Sequence, residues 1–135
     1  MEREKKIVDA SVIVKWFAKE EDFEKSVELR DKHLSKEIVL IVPELLFLEV
    51  MNALRYKEKN EEKIIEINKM LWGFQLNIQK INNNILEKAI KIAIKYNFTI
   101  YDSIYIALSQ MYGCELITAD EALSKIPNVK LLREI

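Results

Sequence analysis

Apolar residues along the chain follow two patterns, short continuous runs and longer stretches with helical spacing. A continuous run rich in β-branched residues, such as 38–42, is typical of a strand buried on both faces of a sheet. Apolar residues three or four positions apart among charged residues are typical of an amphipathic helix. The runs predict strands at 6–9, 38–42, 76–81, 115–118 and 129–132. The spaced patterns predict helices capped by Ser11, Asn60 and Asn84, and others at 21–34, 44–57 and 101–112.

Strands that alternate with helices predict an α/β fold. We expect a three-layer α/β/α sandwich around a five-stranded, mostly parallel sheet, with right-handed crossovers. Pro43 ends the second strand, and Gly113 is placed to cap the last helix at its carboxyl end. No linker, repeat or low-complexity segment interrupts the pattern, so residues 1–135 are expected to form a single domain.

Charge and composition narrow the function classes only partly. The chain has 21 basic and 22 acidic residues and a formal net charge of −1, which gives no global signal for nucleic-acid binding. A local basic rim remains possible, because steering depends on how charge is distributed. One cysteine, Cys114, predicts a reducing compartment. The amino-terminal run is short and is broken by Asp9 and Lys15, so we expect no membrane span and a cytoplasmic protein.

Four acidic residues interrupt or end apolar runs: Asp9, Glu49, Asp102 and Asp120. A buried carboxylate is costly unless it is paired or bound to a cation. Asp9 ends the first predicted strand, and Asp120 follows the fourth. Glu49 and Asp102 lie near the starts of helices that begin at the carboxyl edge of the sheet. Because ligands of open parallel sheets bind beyond that edge, we expect the four acids to share one rim.

Each acid also has a simpler explanation. Asp9 and Asp120 are acceptable helix caps, and Asp102 can complement a helix dipole. Glu49 can be a solvated or ion-paired residue. These explanations would have to hold at all four positions together, which favours a shared site.

Clustered carboxylates repel one another, and a divalent cation removes that conflict. An all-oxygen ligand set selects Mg²⁺ or Mn²⁺, whereas zinc prefers histidine and cysteine. The chain has a single residue of each of those types, His33 and Cys114. Since a bound metal makes its water more acidic, the pattern predicts an enzyme that hydrolyses phosphate esters.

The same residues give the chain a resemblance to the PIN-domain family, and in particular to its VapC-type toxins. The matches occur in the family's order and span the chain. They are VDAS at 8–11, EVMNAL at 49–54, YDS at 101–103 followed by YIAL at 105–108, and LITAD at 116–120.

The resemblance implies a PIN-like five-stranded parallel sheet and an endoribonuclease that depends on Mg²⁺ or Mn²⁺. It makes the four acids both the metal ligands and the catalytic residues. It makes Ser11 and Thr118 supporting groups that orient carboxylates, and Asn52 a residue that holds Glu49 or contacts the substrate. It also implies an RNA substrate, a homodimer and a small antitoxin protein that covers the active site.

The nearly neutral charge means that RNA contacts would come from a local set of basic side chains. Lys15 and Arg55 are the first candidates, with Lys57 and Lys59 beside them, although all four also suit solvated helix faces. Two other functions stay open. One is a PIN-like scaffold that binds RNA or protein with little catalysis, and the other is a metal-dependent nuclease that acts on DNA.

Overall fold

A computed structural model describes residues 2–135 of the chain. The strands are β1 (Glu4–Val8), β2 (Ile38–Pro43), β3 (Asn77–Gln79), β4 (Glu115–Thr118) and β5 (Val129–Leu131). The helices are α1 (Ala10–Ile13), α2 (Phe23–Leu34), α3 (Leu45–Lys57), α4 (Glu61–Gly73), α5 (Asn83–Tyr96) and α6 (Ile100–Tyr112). Short 3₁₀ helices lie at Val14–Trp16, Glu121–Leu123 and Leu132–Glu134.

The five strands form one sheet in the order β3-β2-β1-β4-β5, and every neighbouring pair is parallel. The chain adds β2 and β3 on one side of β1 and then returns to add β4 and β5 on the other. With right-handed crossovers, this reversal places α1 to α4 on one face of the sheet and α5 with α6 on the other. The predicted three-layer α/β fold is therefore confirmed.

The core explains why these runs became strands. The central strands β1, β2 and β4 carry fully buried side chains, including Ile7, Leu40, Ile41 and Leu116, because both of their faces are covered. The helix α6 packs on β1, β2 and β4, and α5 packs mainly on α6. Nearly all of the buried hydrophobic side chains form one cluster.

The local predictions were wrong at two helix starts. Asp9, not Ser11, caps α1, since its carboxylate accepts from the backbone N–H of Ser11. Asn82, not Asn84, caps α5 by accepting from the N–H of Ile85. In both places several capping residues lie close together in sequence, and the direction of the preceding chain selects among them.

Several element bounds also differ from the prediction. The strand β1 begins two residues earlier and ends at Val8, and the third strand shortens to Asn77–Gln79. The first helix becomes 3₁₀ after Ile13. Gly113 caps α6 in the left-handed conformation, with a φ of 61°, as predicted. Within residues 2–135, no helix has the length and apolar character to cross a bilayer.

The reversal of strand order defines where a ligand would bind. It occurs between β1 and β4, the strands that precede Asp9 and Asp120. Parallel sheets of this kind bind their ligands in the crevice beyond the carboxyl ends of the two strands at the reversal. The fold thus directs attention to that edge, which we call the acidic edge after Asp9, Glu49, Asp102 and Asp120.

Candidate active site

Asp9 is the most constrained side chain of the acidic edge. It follows β1 directly and is only 6% exposed. One carboxylate oxygen, Oδ1, accepts a hydrogen bond from the backbone N–H of Ser11 at 3.1 Å and another from the Ser11 hydroxyl. The other oxygen, Oδ2, accepts from the hydroxyl of Thr118. Both oxygens are therefore held in fixed directions.

The two hydroxyls that hold Asp9 are themselves held by the backbone beyond β4. Ser11 Oγ accepts from the N–H of Ala119 at 2.9 Å, and Thr118 Oγ1 accepts from the N–H of Asp120 at 3.0 Å. Each hydroxyl thus accepts one hydrogen bond from the chain after β4 and donates one to Asp9. The two hydroxyls therefore tie the direction of the Asp9 carboxylate to the backbone that follows β4.

Glu49 reaches the acidic edge from the first turns of α3 and is half-buried. Its Oε1 atom accepts a hydrogen bond of 2.6 Å from the hydroxyl of Tyr105 on α6. Asn52, which was expected to hold Glu49 or to contact the substrate, lies exposed one turn further along α3.

Asp102 lies in the first turn of α6, where Thr99 caps the helix by accepting from the Asp102 N–H at 3.0 Å. Asp120 lies two residues beyond β4 and is exposed. Its Oδ1 accepts from the N–H of Ala122 at 3.0 Å, so it caps a 3₁₀ helix. Asp9 and Asp120 thus do cap helices, as the simpler explanations proposed. Capping does not exclude a shared site, because the same carboxylates lie at the acidic edge.

Electrostatics shows that the four acids share one region. Burial, opposed by the hydrogen bonds from Ser11 and Thr118 and reinforced by the charge of Asp102, raises the pKa of Asp9 to about 6. The pKa of Glu49 is raised by burial, opposed by the Tyr105 hydrogen bond, and raised again by Asp102 and Asp9. Burial and the charge of Asp120 raise the pKa of Asp102. Asp9, Glu49 and Asp102 are therefore each destabilised as anions by the charge of a neighbouring acid.

The donor set suits a hard divalent cation. In residues 2–135, no three acidic, histidine or cysteine side chains stand ready-made at metal-ligand spacing. Mg²⁺ does not require such a cage, because it keeps several waters and binds proteins through one or two carboxylates. A bound cation would relieve the repulsion between these carboxylates. Asp9, Glu49 and Asp102 therefore suit such an ion, with Asp120 at the rim.

The two basic candidates differ in their surroundings. The Lys15 ammonium is buried, donates to the carbonyl of Glu21 at 2.9 Å and lies 3.7 Å from the carboxylate of Glu20. Arg55 is exposed and lies over the ring of Tyr56. Because Lys15 already has two partners, Arg55 is the better placed of the two to meet a phosphate.

Tyr105 is the residue of the acidic edge that the sequence reasoning missed. Burial and the charges of Glu49, Asp9 and Asp102 raise its pKa well above the ordinary value, so its hydroxyl stays protonated. A signal was present in its position, because Tyr105 follows Asp102 by three residues and lies on the same side of α6.

Comparison with known proteins places this geometry in a family. The model of the PIN domain matches residues 6–129. The chain belongs to the PIN-domain family, and the resemblance seen in its four acidic segments is confirmed.

Among curated proteins, the chain is 29% identical over 127 residues to Ribonuclease VapC3 of Pyrobaculum aerophilum, covering 90% of this chain and 93% of that protein. Its fold is similar to a chain of a toxin–antitoxin complex from Klebsiella pneumoniae, with a TM-score of 0.72, 20% identity and coverage of 96% and 98%. It is also similar to VapC20 of Mycobacterium tuberculosis, a sarcin–ricin loop cleaving toxin, with a TM-score of 0.73, 14% identity and coverage of 92% and 96%.

The raised pKa of Asp9 predicts how stability depends on pH without metal. The folded value of about 6 lies above the ordinary 3.8, so the folded state holds this proton more tightly than the unfolded state does. The resulting stabilisation is complete below about pH 4 and is lost as pH rises through about 6. Asp9→Asn removes this dependence. The free energy of unfolding of Asp9→Asn, taken relative to that of the wild type, should therefore rise by up to about 3 kcal/mol between pH 4 and 7.

Urea unfolding in EDTA across this pH range measures the difference. Asp31→Asn, which removes an exposed acid of α2, is the matched control and should follow the wild-type curve. Parallel curves for Asp9→Asn and the wild type would show that the folded Asp9 carboxyl is not perturbed.

Proposed function

We propose that this protein is a Mg²⁺- or Mn²⁺-dependent endoribonuclease and the toxin of a toxin–antitoxin pair. The observation that carries the proposal is the Asp9 carboxylate, buried at the reversal of strand order with both oxygens fixed by Ser11 and Thr118. Glu49 and Asp102 are near enough to Asp9 for their charges to interact with it, and Asp120 interacts in the same way with Asp102. The similarity to a curated ribonuclease over nine-tenths of the chain supports RNA as the substrate.

In this proposal the side chains of the acidic edge bind the cation and orient its ligands before the substrate binds. Asp9, Glu49 and Asp102 would hold the cation, with Asp120 at the exposed rim. When bound, the cation supplies a more acidic water and stabilises the charge that develops on the phosphate. Ser11 and Thr118 keep the Asp9 lone pairs in a constant direction, so little reorganisation accompanies the reaction.

Substitution of the acids tests the chemistry directly. Asp9→Asn and Asp102→Asn should each lower Mn²⁺-dependent cleavage of a defined single-stranded RNA by at least about 100-fold, because each removes an anionic metal ligand. Arg55→Ala in the same assay should raise KM and leave kcat unchanged. The measurement is the initial rate of cleavage by protein purified away from host nucleases.

Glu66→Gln is the matched control, since it removes an exposed acid on α4 away from the acidic edge. Full activity in Asp9→Asn or Asp102→Asn would refute the proposal. Faster cleavage of a DNA oligonucleotide of the same sequence would favour the DNA nuclease instead. RNA binding without cleavage at millimolar Mn²⁺ would favour the binding scaffold.

Two observations support an antitoxin partner: the complex in which a similar fold occurs, and an exposed apolar residue of this chain. A chain of similar fold comes from a toxin–antitoxin complex. On the same helix as Glu49, Leu48 is 75% exposed and offers an apolar contact to a partner protein. Expression of the wild type should arrest growth, and expression of Asp9→Asn should not. Co-expression of a small protein from the adjacent reading frame should restore growth, and failure to do so would exclude that protein.

The homodimer is supported by an apolar stripe on α5. Leu86, Ile90 and Ile94 lie four residues apart, share one face of the helix and are exposed, Ile94 to 80%. We assign this stripe to a second copy of the chain. Light scattering should give the mass of a dimer for the wild type and of a monomer for Ile94→Glu. Ile65→Glu, at an exposed position on α4, should stay dimeric. A monomeric wild type would refute the assignment.

A further inference from the structure

Tyr105 makes a hydrogen bond to Glu49 that the proposed function has not yet explained. Its side chain is 1% exposed, yet its hydroxyl reaches a half-buried carboxylate, donating to Glu49 Oε1 at 2.6 Å. The two residues are 56 positions apart in the chain and belong to α3 and α6, which the crossovers place on opposite faces of the sheet. The hydrogen bond thus joins the two helical layers at the acidic edge.

Glu49 and Asp9 differ in how their carboxylates are held in one orientation. Asp9 has a short side chain and is held through both oxygens by hydroxyls on neighbouring backbone. Glu49 has one more rotatable bond and extends from a helix, so it needs a donor to select one orientation. The phenol supplies that donor on one oxygen without adding positive charge. The other oxygen, Oε2, is left for a cation.

We propose that Tyr105 is a positioning residue for the metal site, whose hydroxyl fixes Glu49 Oε1 and so presents Oε2 to the cation shared with Asp9 and Asp102. This inference rests on the proposed function, in that it assumes a divalent cation at the acidic edge. It assigns Tyr105 no contact with RNA and no proton transfer. Its effect on cleavage passes entirely through Glu49.

Tyr105→Phe removes the hydroxyl and keeps the buried ring. We expect Mn²⁺ binding, measured by the loss of the free-Mn²⁺ signal in electron paramagnetic resonance, to weaken about 10- to 100-fold, as when other groups that orient metal ligands are removed. Cleavage should fall at low Mn²⁺ and recover at saturating Mn²⁺, with KM for RNA unchanged. Circular dichroism first establishes the temperature at which all variants are folded.

Tyr112→Phe is the matched control. Tyr112 lies seven residues, or about 10 Å, further along the same helix. Its hydroxyl donates a similar bond of 2.7 Å, to Gln79 Oε1. The control loses a phenol hydrogen bond of the same kind and should bind Mn²⁺ as the wild type does. Equal weakening in both variants would mean a general loss of packing and would overturn the proposal.

A double-mutant cycle with Glu49→Gln separates positioning from structure. If Tyr105 acts through Glu49, adding Tyr105→Phe to Glu49→Gln should change Mn²⁺ affinity no further. Independent, additive losses would overturn the proposal.

A second measurement does not need Tyr105→Phe to fold. In wild-type protein labelled at the tyrosine Cζ carbon, Mg²⁺ should shift the Tyr105 resonance and leave that of Tyr112 in place, and a static Tyr105 resonance would overturn the proposal.

The outcomes distinguish this inference from the proposed function. If the wild type binds Mn²⁺ but does not cleave RNA, the proposed activity fails and the role of Tyr105 is still decided by Mn²⁺ affinity. If the wild type cleaves RNA and Tyr105→Phe binds Mn²⁺ with unchanged affinity, only the inference fails. A wild type that binds no Mn²⁺ overturns both.

Discussion

The hydrogen bonds that the hydroxyls of Ser11 and Thr118 donate to the carboxylate of Asp9 are the interactions on which the acidic edge depends. Asp9 ends the central strand β1 and starts α1, and its oxygens accept from Ser11 and Thr118. Because those hydroxyls accept in turn from backbone N–H groups after β4, the position of one strand end determines the direction of the other strand's carboxylate. Side chains fixed by backbone in this way reorganise little when a ligand binds.

The side chains that donate hydrogen bonds to the acidic edge are neutral and add no positive charge to it. Ser11, Thr118 and Tyr105 satisfy carboxylate oxygens as hydroxyl donors. In the part of the chain that the structure describes, the salt bridges involve other acids, such as Glu20 and Glu115. A lysine in the same place would neutralise the acids and occupy the position of a cation. Neutral donors orient the lone pairs and leave the charge to attract a metal ion.

Where sequence reasoning failed, several chemically equivalent choices lay close together. Asp9 and Ser11 are both good helix caps, as are Asn82 and Asn84, and only the path of the chain selects one. Lys15 stays a predicted RNA contact, and the fold adds the carboxylate of Glu20 and the carbonyl of Glu21 as partners of its ammonium. Local propensity describes what a residue can do, whereas the partner that reaches it depends on segments elsewhere in the chain.

The sequence by itself determined the alternation of strands and helices, the parallel sheet, and the approach of four acids to one edge. These follow from hydrophobic periodicity and from chain order, since the carboxyl ends of parallel strands all lie at the same edge of the sheet. Only the tertiary structure decided which hydroxyl bonds to which carboxylate oxygen. Thr118 lies 109 residues from Asp9, and Tyr105 lies 56 residues from Glu49. Bonds over such separations depend on how the layers pack, and a shift of about 1 Å would break them.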